Sequence, residues 1–396
     1  MQRLPDVRRR HIAECRRCSR LLAGPAAGRV EAPLALALAA LLLLIPATIE
    51  PLLSVASHGA GRLCWLWSGI DGLWREGFAP LAVIVAAFSL ALPYVYLAAL
   101  IGLLASLRLG LRAHVGPAFR WVIRLRPWMM LEIFLVGCFV AYSRLHLVVG
   151  VHVLAGGWCL MAATCALLLA LTQLDERTVW EALPLGPESR RTTGRRQDPG
   201  GQAIACTACE LLVTGAHPGG ACPRCGAVLH HRKPYAFRIT AALVAAGFML
   251  YVPANALPVL TLVSFGQEQS NTIITGMLEL IHNRLWPLAL IVFLASIVVP
   301  LLKLCGLTWM LLATLQGSRR ALIVRTRFFR LIDTVGPWSN IDVFVASVLV
   351  ALLQFGAIAR AQAGSGLTAF AAVVILTMIA TRTFDTRLMW DAPRGG

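Results

Sequence analysis

Four cysteines near the middle of the chain have the spacing of a metal site. Cys206 and Cys209 form one Cys-x2-Cys pair, and after twelve intervening residues Cys222 and Cys225 form a second. Two such pairs supply four thiolates to a tetrahedral metal ion, which is typical of a structural zinc ribbon. A redox-active thiol pair is the alternative interpretation. Four thiolates close the coordination sphere of zinc, so the pattern speaks against zinc-dependent hydrolysis.

A lysine inside an apolar segment is the second candidate for chemistry. Of the 36 basic residues only Lys233 and Lys303 are lysines, and Lys303 lies within the apolar run 285–316. A charge at the centre of a bilayer is costly and is therefore a functional hypothesis by default. Unlike arginine, a desolvated lysine can lose its proton near neutral pH. We interpret Lys303 as a proton-handling group; a lysine that reaches to the membrane surface is the structural alternative.

Polar residues on neighbouring apolar segments are expected to join Lys303. Ser296 precedes it by two helical turns, and Ser339 and Asp342 share one face of the next segment. Asp342 is the predicted counter-ion of Lys303. Thr377 lies on the last segment, where a bond to its own helix backbone is the alternative. The predicted transport cluster comprises Ser296, Lys303, Ser339, Asp342, Thr377 and Asn255.

The composition shows which elements must position these residues. Hydrophobic residues make up 58% of the chain and charged residues 14%, whereas a soluble domain carries about 25% charged residues. This excludes an ordinary soluble enzyme, and the hydrophobicity excludes disorder. The apolar residues form eight runs long enough to cross a bilayer core about 30 Å thick. We predict spans at 33–57, 78–107, 128–149, 153–173, 236–263, 285–316, 339–359 and 366–383.

The arginines indicate the orientation of these spans. They cluster in segments 3–20, 108–126, 190–196 and 319–330, and the intervening loops contain few of them. By the positive-inside rule, both termini and the central segment are cytoplasmic. We therefore attribute the net charge of +17 to the orientation of the spans and to attraction between the arginines and anionic lipid headgroups. We expect no nucleic-acid partner. Cytoplasmic thiols stay reduced, so disulfides are not expected in the ribbon.

The two halves of the chain repeat each other. Pro46 and Pro51 recur as Pro253 and Pro258 at an offset of 207, and after the second span the offset becomes 210. We predict an all-α polytopic membrane protein of two tandem four-helix modules in the same orientation, with a small cytoplasmic zinc ribbon between them. The predicted domains are an N-terminal segment 1–30, a first module 31–182, a linker 183–205, the ribbon 206–232 and a second module 233–391.

The repeat also sorts the remaining polar residues. Ser89, Tyr96 and Glu132 correspond to Ser296, Lys303 and Asp342, so the first module lacks the lysine and the second is the expected working site. Secondary candidates are acids near span ends, with an arginine beside one of them: Glu50, Glu132, Asp175, Asp385 and Arg387.

These secondary candidates have structural alternatives. Glu50 lies within the first predicted span and faces either the module interface or the membrane surface. Asp175 and Asp385 fit a local ion pair or helix-end anchor better than a proton relay. Asn255, between two prolines, fits either an interhelical hydrogen bond or a broken helix that lines a cavity.

Half of a second ribbon lies near the start of the chain. Cys15 and Cys18 precede Cys222 and Cys225 by 207 residues, and no further pair precedes them. Two thiolates cannot close a tetrahedral site, although His11 could assist. We therefore expect no well-formed zinc site there.

Four stretches of the sequence resemble a known family. They are the ribbon 206–225, Tyr-Val-Pro-Ala-Asn-x-Leu-Pro at 251–258, Gly-Pro-Trp-Ser-x-x-Asp-Val-Phe at 336–344, and the end 374–391. With them the chain resembles the paraquat-inducible protein A family of bacterial inner-membrane proteins over essentially its whole length. The resemblance implies a periplasmic MCE-domain partner, a lipid conduit between the inner and outer membranes, and a transporter that loads or unloads it. The incomplete N-terminal ribbon departs from the family pattern.

These observations lead to one predicted function and two alternatives. No nucleotide-binding loop or hydrolase signature stands out, so we predict that the chain is not an enzyme. We expect a phospholipid transporter component of the bacterial inner membrane, with proton coupling through Lys303 and Asp342. One alternative is a non-transporting scaffold that anchors a periplasmic partner, and the other is a membrane thiol or quinone redox protein.

Overall fold

The chain is mainly helical. A computed structural model describes residues 13–14, 21–23, 30–57, 60–111, 115–146, 150–181, 183, 203–214, 217–264, 267–318, 320–353 and 359–391. Within these ranges eight helical stretches are long and apolar enough to cross a membrane, as predicted. They are Glu31–Ile49, Ala79–Arg108, Val115–Leu145, Ala155–Gln173, Ala236–Ala256, Trp286–Leu315, Leu322–Leu352 and Ser365–Thr383. Most of the predicted linker 183–205 lies outside the described residues.

The first four spans belong to the N-terminal module. Two short strands, β1 (Ala13–Glu14) and β2 (Leu21–Ala23), pair before it. Its elements in chain order are α1 (Glu31–Ile49), β3 (Leu53–Ser57), β4 (Ala60–Cys64), α2 (Ser68–Arg75), α3 (Ala79–Ala86), a π-helical segment (Ala87–Ala91), α4 (Leu92–Arg108), α5 (Val115–Leu125), a 3-10 turn (Arg126–Trp128), α6 (Leu131–Leu145), β5 (Gly150–Val153), α7 (Ala155–Gln173) and α8 (Glu176–Glu181).

The C-terminal module follows the same order after a short hairpin. The hairpin pairs β6 (Ile204–Ala205) with β7 (Leu212–Val213). The module's elements in chain order are α9 (Ala236–Ala256), β8 (Leu260–Ser264), β9 (Gln267–Asn271), α10 (Ile273–His282), α11 (Trp286–Phe293), a π-helical segment (Leu294–Val298), α12 (Val299–Leu315), α13 (Leu322–Val335), a 3-10 turn (Gly336–Asn340), α14 (Ile341–Leu352), β10 (Ala359–Ala363), α15 (Ser365–Thr383) and a final 3-10 turn (Thr386–Trp390).

Each module carries a three-stranded antiparallel sheet that we did not predict. The strand order is β4-β3-β5 in the first and β9-β8-β10 in the second. The predicted spans 33–57 and 236–263 were therefore too long, because the helices end at Ile49 and Ala256. A proline follows each end, and proline cannot donate a backbone hydrogen bond to extend the helix. The apolar residues beyond it form strands.

Two further span boundaries were wrong in the opposite direction. The third and seventh helical stretches begin at Val115 and Leu322, well before the predicted starts at 128 and 339. In each case a helix rich in arginine, α5 or α13, runs into the apolar span through a 3-10 turn that contains a proline. Apolar character alone marks only the later part of such a stretch.

The repeat is visible in close contacts as well as in element order. Gly156 begins α7 where a Cβ atom would collide with the Glu50 carbonyl oxygen, and Gly366 begins α15 where a Cβ would collide with that of Leu257. These pairs are related by the offsets of 210 and 207. In both modules a glycine therefore lets the last span pack directly on the loop that follows the first.

The described residues divide into two compact units. One comprises residues within 1–40, 95–127 and 165–234, and the other residues within 41–94, 128–164 and 235–396. In the second unit α9 packs along α15, α12 contacts both, and α14 contacts α6, α2 and α15. The seventh span, which includes α14, is the most buried of the eight. An apolar core of Leu304, Leu307 and Ile332 joins α12 to α13 directly beside Lys303.

Candidate functional site

The four predicted ribbon cysteines form one buried cluster. All four Sγ atoms lie within 4.8 Å of one another. The Sγ atoms of Cys206 and Cys225 are 3.5 Å apart, as are those of Cys209 and Cys222. Four thiolates around zinc at about 2.3 Å would be about 3.8 Å apart in a tetrahedron, so the cluster fits a tetrahedral metal ion.

Two similar backbone turns present these thiolates. The amide of Cys206 donates to Leu211 O (2.9 Å), and the amide of Cys222 donates to Ala227 O (2.7 Å). The residue that follows each Cys-x2-Cys pair has a positive φ, 56° at Glu210 and 66° at Gly226. The two turns are therefore equivalent, although only one contains glycine.

The ribbon packs against the N-terminal module. A Cβ atom at Gly116 of α5 would lie 2.5 Å from the carbonyl oxygen of Arg224, which leaves room only for glycine. On the same module the ring of Phe119 lies 4.8 Å from that of Trp180, and Arg126 pairs with Glu176 at 2.7 Å.

Cys15, Cys18 and His11 lie outside the described residues, so the incomplete N-terminal ribbon stays a prediction.

Lys303 is fully buried and its ammonium group is surrounded by oxygen atoms. Nζ donates to Gly336 O (2.6 Å), Ser339 Oγ (2.9 Å) and Thr377 Oγ1 (3.4 Å). Ser339 donates its own proton to Gly336 O, and Thr377 donates to Val374 O. Both hydroxyls therefore turn lone pairs towards the lysine, and three neutral oxygens match the three N–H donors of an ammonium.

The predicted ion pair between Lys303 and Asp342 was wrong. Within the described residues Lys303 bonds only the three neutral oxygens, whereas Ser296 Oγ donates to the Asp342 carboxylate. Ser296 and Lys303 are two turns apart on one helix, a rise of about 10 Å. Asp342 therefore lies at the level of Ser296 along the bundle. Lys303 instead bonds the 3-10 turn that precedes α14.

Ser296 lies in a π-helical segment, Leu294–Val298. Such one-turn widenings occur often at functional sites, because they redirect side chains and free backbone groups. The equivalent Ser89 also lies in a π-helical segment but donates to Val85 O of its own helix. Only the C-terminal serine is thus used to hold a carboxylate.

Further charges lie around this cluster. Asp333 of α13 interacts electrostatically with Lys303 and pairs with Arg382 of α15 at 3.3 Å. On the other side, Asp342 interacts electrostatically with Arg144 of α6, a residue of the other repeat. Sequence reasoning missed Arg144, because a single arginine near the end of a predicted span carries no signal for an interaction with the other repeat.

The N-terminal counterparts form a different environment. Ser89 and Tyr96 are buried, and Glu132 lies in the first turn of α6. Tyr96 replaces the lysine, so the N-terminal module places no ammonium group at this position. The arrangement agrees with the expectation that the C-terminal module carries the working site, which stays a prediction.

The structure brings Ser296, Lys303, Ser339, Asp342 and Thr377 together but leaves out Asn255. The Asn255 amide donates to Tyr251 O of its own helix at 2.9 Å. This bond stays within α9, and the role of Asn255 in the transport cluster stays a prediction.

The secondary candidates lie at element ends. Glu50 is exposed just beyond the end of α1, so its placement inside the first span was wrong. Asp385 is buried and accepts from the amide of Arg387 (3.0 Å) at the start of the last 3-10 turn. Asp175 lies between α7 and α8 at the equivalent position. These positions are those of helix-end anchors.

Fold and site together define a multi-pass membrane protein of two tandem four-helix repeats, with a four-cysteine ribbon between them and a buried lysine in the second. The family model described as "Paraquat-inducible protein A" matches residues 30–184 and 237–393, one segment for each module. The chain belongs to the paraquat-inducible protein A family.

Curated relatives match over nearly the whole length. "Intermembrane transport protein PqiA" of Escherichia coli (strain K12) is 32% identical, over 98% of this chain and 93% of the relative. "Lipophilic envelope-spanning tunnel protein A" of the same organism is 29% identical, over 99% and 90%. A "Probable intermembrane transport protein" of Haemophilus influenzae (strain ATCC 51907 / DSM 11121 / KW20 / Rd) is 25% identical, over 96% and 90%. No solved structure matches this chain.

Proposed function

We propose that the chain is the inner-membrane component of a phospholipid transport system, and that proton binding at Lys303 and Asp342 drives it. The names of the relatives, which refer to intermembrane transport and to a lipophilic tunnel, support a lipid cargo. The observation that carries the mechanism is the buried ammonium of Lys303, held by three neutral oxygens next to the Ser296–Asp342 hydrogen bond. A scaffold would need no such group in an apolar bundle.

The site joins three helices through one lysine. Gly336 and Ser339 belong to the 3-10 turn before α14, Thr377 belongs to α15, and Lys303 belongs to α12. Loss of the Lys303 proton would remove one of its three donors and loosen the turn from α12. Protonation of Asp342 would let it donate as well as accept. Either event changes how α14 packs, and α14 also contacts the other repeat.

The proposal includes an orientation and a partner. The arginine-rich segments support a cytoplasmic position for both termini and the ribbon, and with it a periplasmic position for the two sheets. The family resemblance supports a bacterial inner-membrane location and a periplasmic MCE-domain partner that the chain loads or unloads with lipid. In this scheme the chain carries out no covalent chemistry and is not an enzyme.

Reconstituted transport tests the proton-coupled step. The full chain and its MCE-domain partner are placed in liposomes with a fluorescent phospholipid, and transfer is followed with and without a pH gradient. Lys303→Met and Asp342→Asn should abolish gradient-stimulated transfer, whereas Lys303→Arg should keep the fold but not the coupling, because arginine stays protonated. Tyr96→Phe, at the equivalent position of the other repeat, is the matched control and should transfer at the normal rate.

The alternatives predict different outcomes. Full transfer by folded Lys303→Met and Asp342→Asn variants would refute the proposed mechanism and favour a scaffold. Transfer that depends on the lysine but ignores the gradient would retain lipid transport and remove proton coupling.

We further propose that the ribbon binds one structural zinc ion through Cys206, Cys209, Cys222 and Cys225. Zinc would link the two turns that carry the cysteines. The contact between the ribbon and Gly116 would then fix the position of α5. Metal analysis should find one zinc per chain, and Cys222→Ser should lower the folded yield. A variant that folds normally but loses activity would instead favour the redox interpretation.

A further inference from the structure

The oxygens that surround Lys303 hold its proton but cannot take it away. Its three acceptors are a carbonyl oxygen of Gly336 and the hydroxyls of Ser339 and Thr377. Neutral carbonyl and hydroxyl oxygens accept hydrogen bonds, but they do not take up a proton near neutral pH. A lysine that exchanges its proton therefore needs a titratable group just beyond these three oxygens.

Asp333 of α13 occupies such a position. It precedes Gly336 by three residues, so the two share one side of the chain at the level of Lys303. The helices α12 and α13 pack tightly there, because a Cβ atom at Gly306, one turn after Lys303, would lie 2.5 Å from Ile332 Cδ1. Ile332 is the residue next to Asp333. The steps from Lys303 to Gly306 and from Gly336 to Asp333 both lead towards the loop that joins α12 to α13.

An arginine on a third helix holds the Asp333 carboxylate. Arg382 Nη2 lies 3.3 Å from Asp333 Oδ1, and the two side chains are exposed by 42% and 36%. Arg382 belongs to the last turn of α15, the helix that also carries Thr377. Lys303 of α12 and Arg382 face Asp333 from the neighbouring helices, and Arg330 lies one turn before it on α13. The ion pair is thus in contact with solvent, whereas the lysine is fully buried.

The first repeat has uncharged residues at all three equivalent positions. Tyr96 replaces the lysine, and at the offset of 210 Ile123 and Thr172 replace Asp333 and Arg382. A pair that only anchored the end of the fourth span would be equally useful in both repeats. Its presence in the repeat that carries the lysine links the pair to the lysine.

We propose that Asp333 is the group through which Lys303 exchanges its proton with solvent, and that Arg382 positions the Asp333 carboxylate. On release, the Lys303 ammonium gives its proton, directly or through a water molecule, to the Asp333 carboxylate. This leaves a neutral amine and a carboxylic acid, and the acid then passes the proton to bulk water. Uptake is the reverse of these two steps.

The proposal gives the proton path a direction. Ser296, which holds Asp342, precedes Lys303 by two helical turns, whereas Gly306 and Asp333 lie on the other side of the lysine along the bundle. In the proposed orientation the Asp333 end is cytoplasmic. The inference rests on the proposed proton coupling and adds the group that connects Lys303 with the cytoplasm.

Proton-driven transfer tests the role of Asp333. The full chain and its MCE-domain partner are placed in liposomes with a fluorescent phospholipid and a trapped pH-sensitive dye, and transfer and proton flux are followed under a pH gradient. Asp333→Asn should lower both at least about tenfold, because a positioned proton-transfer group contributes about 10²–10⁴ in rate. Asp333→Glu, which keeps a carboxylate, should retain most of both.

Chemical rescue separates proton exchange from a structural role. Asp333→Ala leaves space for a small carboxylate, so added formate should restore its gradient-stimulated transfer several-fold but should not restore that of Lys303→Met. Glu176→Gln is the matched control and should transfer normally, because Glu176 and Arg126 form a pair of similar exposure, 40% and 42%, in the other repeat. A folded Asp333→Ala variant that transfers slowly and ignores formate would assign Asp333 a structural role and overturn the proposal.

The outcomes separate this inference from the function on which it rests. If Lys303→Met loses the response to the gradient while folded Asp333→Asn keeps it, the role of Asp333 is refuted and proton coupling at the lysine stands. If both variants respond normally, both are refuted.

Arg382→Gln decides the question if the Asp333 variants do not fold. It leaves Lys303 as the cation that faces Asp333 from a neighbouring helix, so the carboxylate should hold the lysine in its ammonium form and gradient-stimulated transfer should fall. A normal response of folded Arg382→Gln would overturn the proposal.

Discussion

Alanine substitution at two equivalent glycines should change stability in opposite directions. Gly69 in α2 and Gly276 in α10 occupy the same position of the repeat, 207 residues apart. At Gly69 the new Cβ would lie 2.7 Å from the carbonyl oxygen of Ser347 and 3.0 Å from its carbonyl carbon. At Gly276 the described chain leaves the same position open to at least 4 Å.

The expected magnitudes follow from these distances. An ordinary contact begins near 3.4 Å, so Gly69→Ala must move α2 away from α14 by several tenths of an ångström. The obstacle is backbone and cannot rotate aside. Overpacking of this kind costs about 1–3 kcal/mol, and alanine recovers about 0.5–1 kcal/mol relative to glycine in a helix. We expect a net loss of up to about 2.5 kcal/mol for Gly69→Ala and a gain of about 0.5–1 kcal/mol for Gly276→Ala.

Thermal unfolding of the full chain in detergent, followed by tryptophan fluorescence, measures both changes. For a protein of this size each kcal/mol corresponds to about 2 °C or less, so both variants must be measured against the wild type in the same micelles. Gly69→Ala should melt lower and Gly276→Ala slightly higher. Equal shifts of the same sign would refute the difference in packing between Gly69 and Gly276.

Three further predictions concern single positions. Ala321 has a φ of 56° before α13, and Ala321→Gly should relieve that strain and raise the unfolding free energy by up to about 1 kcal/mol in chemical unfolding. Burial raises the pKa of the Glu76 carboxyl above its ordinary 4.5, so its stabilising contribution is present below pH 4.5 and is lost as the pH rises through the folded-state pKa. The melting temperature of Glu76→Gln should lack this part of the pH dependence, and an unchanged profile would contradict the assignment. Ser296→Ala removes the donor to Asp342 and should impair lipid transfer, whereas Ser89→Ala, which loses only a bond within its own helix, should transfer normally.

The helices and much of the polar cluster could be predicted because they depend on local pattern. Runs of apolar residues indicate spans, and helical spacing placed Ser339 and Asp342 on one face. One of the three acceptors of Lys303, the Gly336 carbonyl, could not be predicted, since it is a main-chain group that no residue type signals. The same holds for Arg144, whose interactions cross between repeats and depend on how α6 packs against the second module.

The π-helical segments and strands were missed for a related reason. A π segment adds one residue to a turn without any marker in composition, and it rotates everything beyond it by about 100°. The strands at 53–57 and 260–264 contain apolar residues that continue the preceding apolar run, so hydropathy assigned them to the spans.

The π-helical segments at Ala87–Ala91 and Leu294–Val298 also record an order of events. An extra residue at the same place in both repeats is most simply explained if it existed before the gene duplicated, when two identical copies would have assembled as a homodimer. Fusion of the copies into one chain then allowed each half to mutate alone. In a symmetric homodimer every substitution appears in both copies. Such a dimer could not have carried lysine at one of the two equivalent positions and tyrosine at the other.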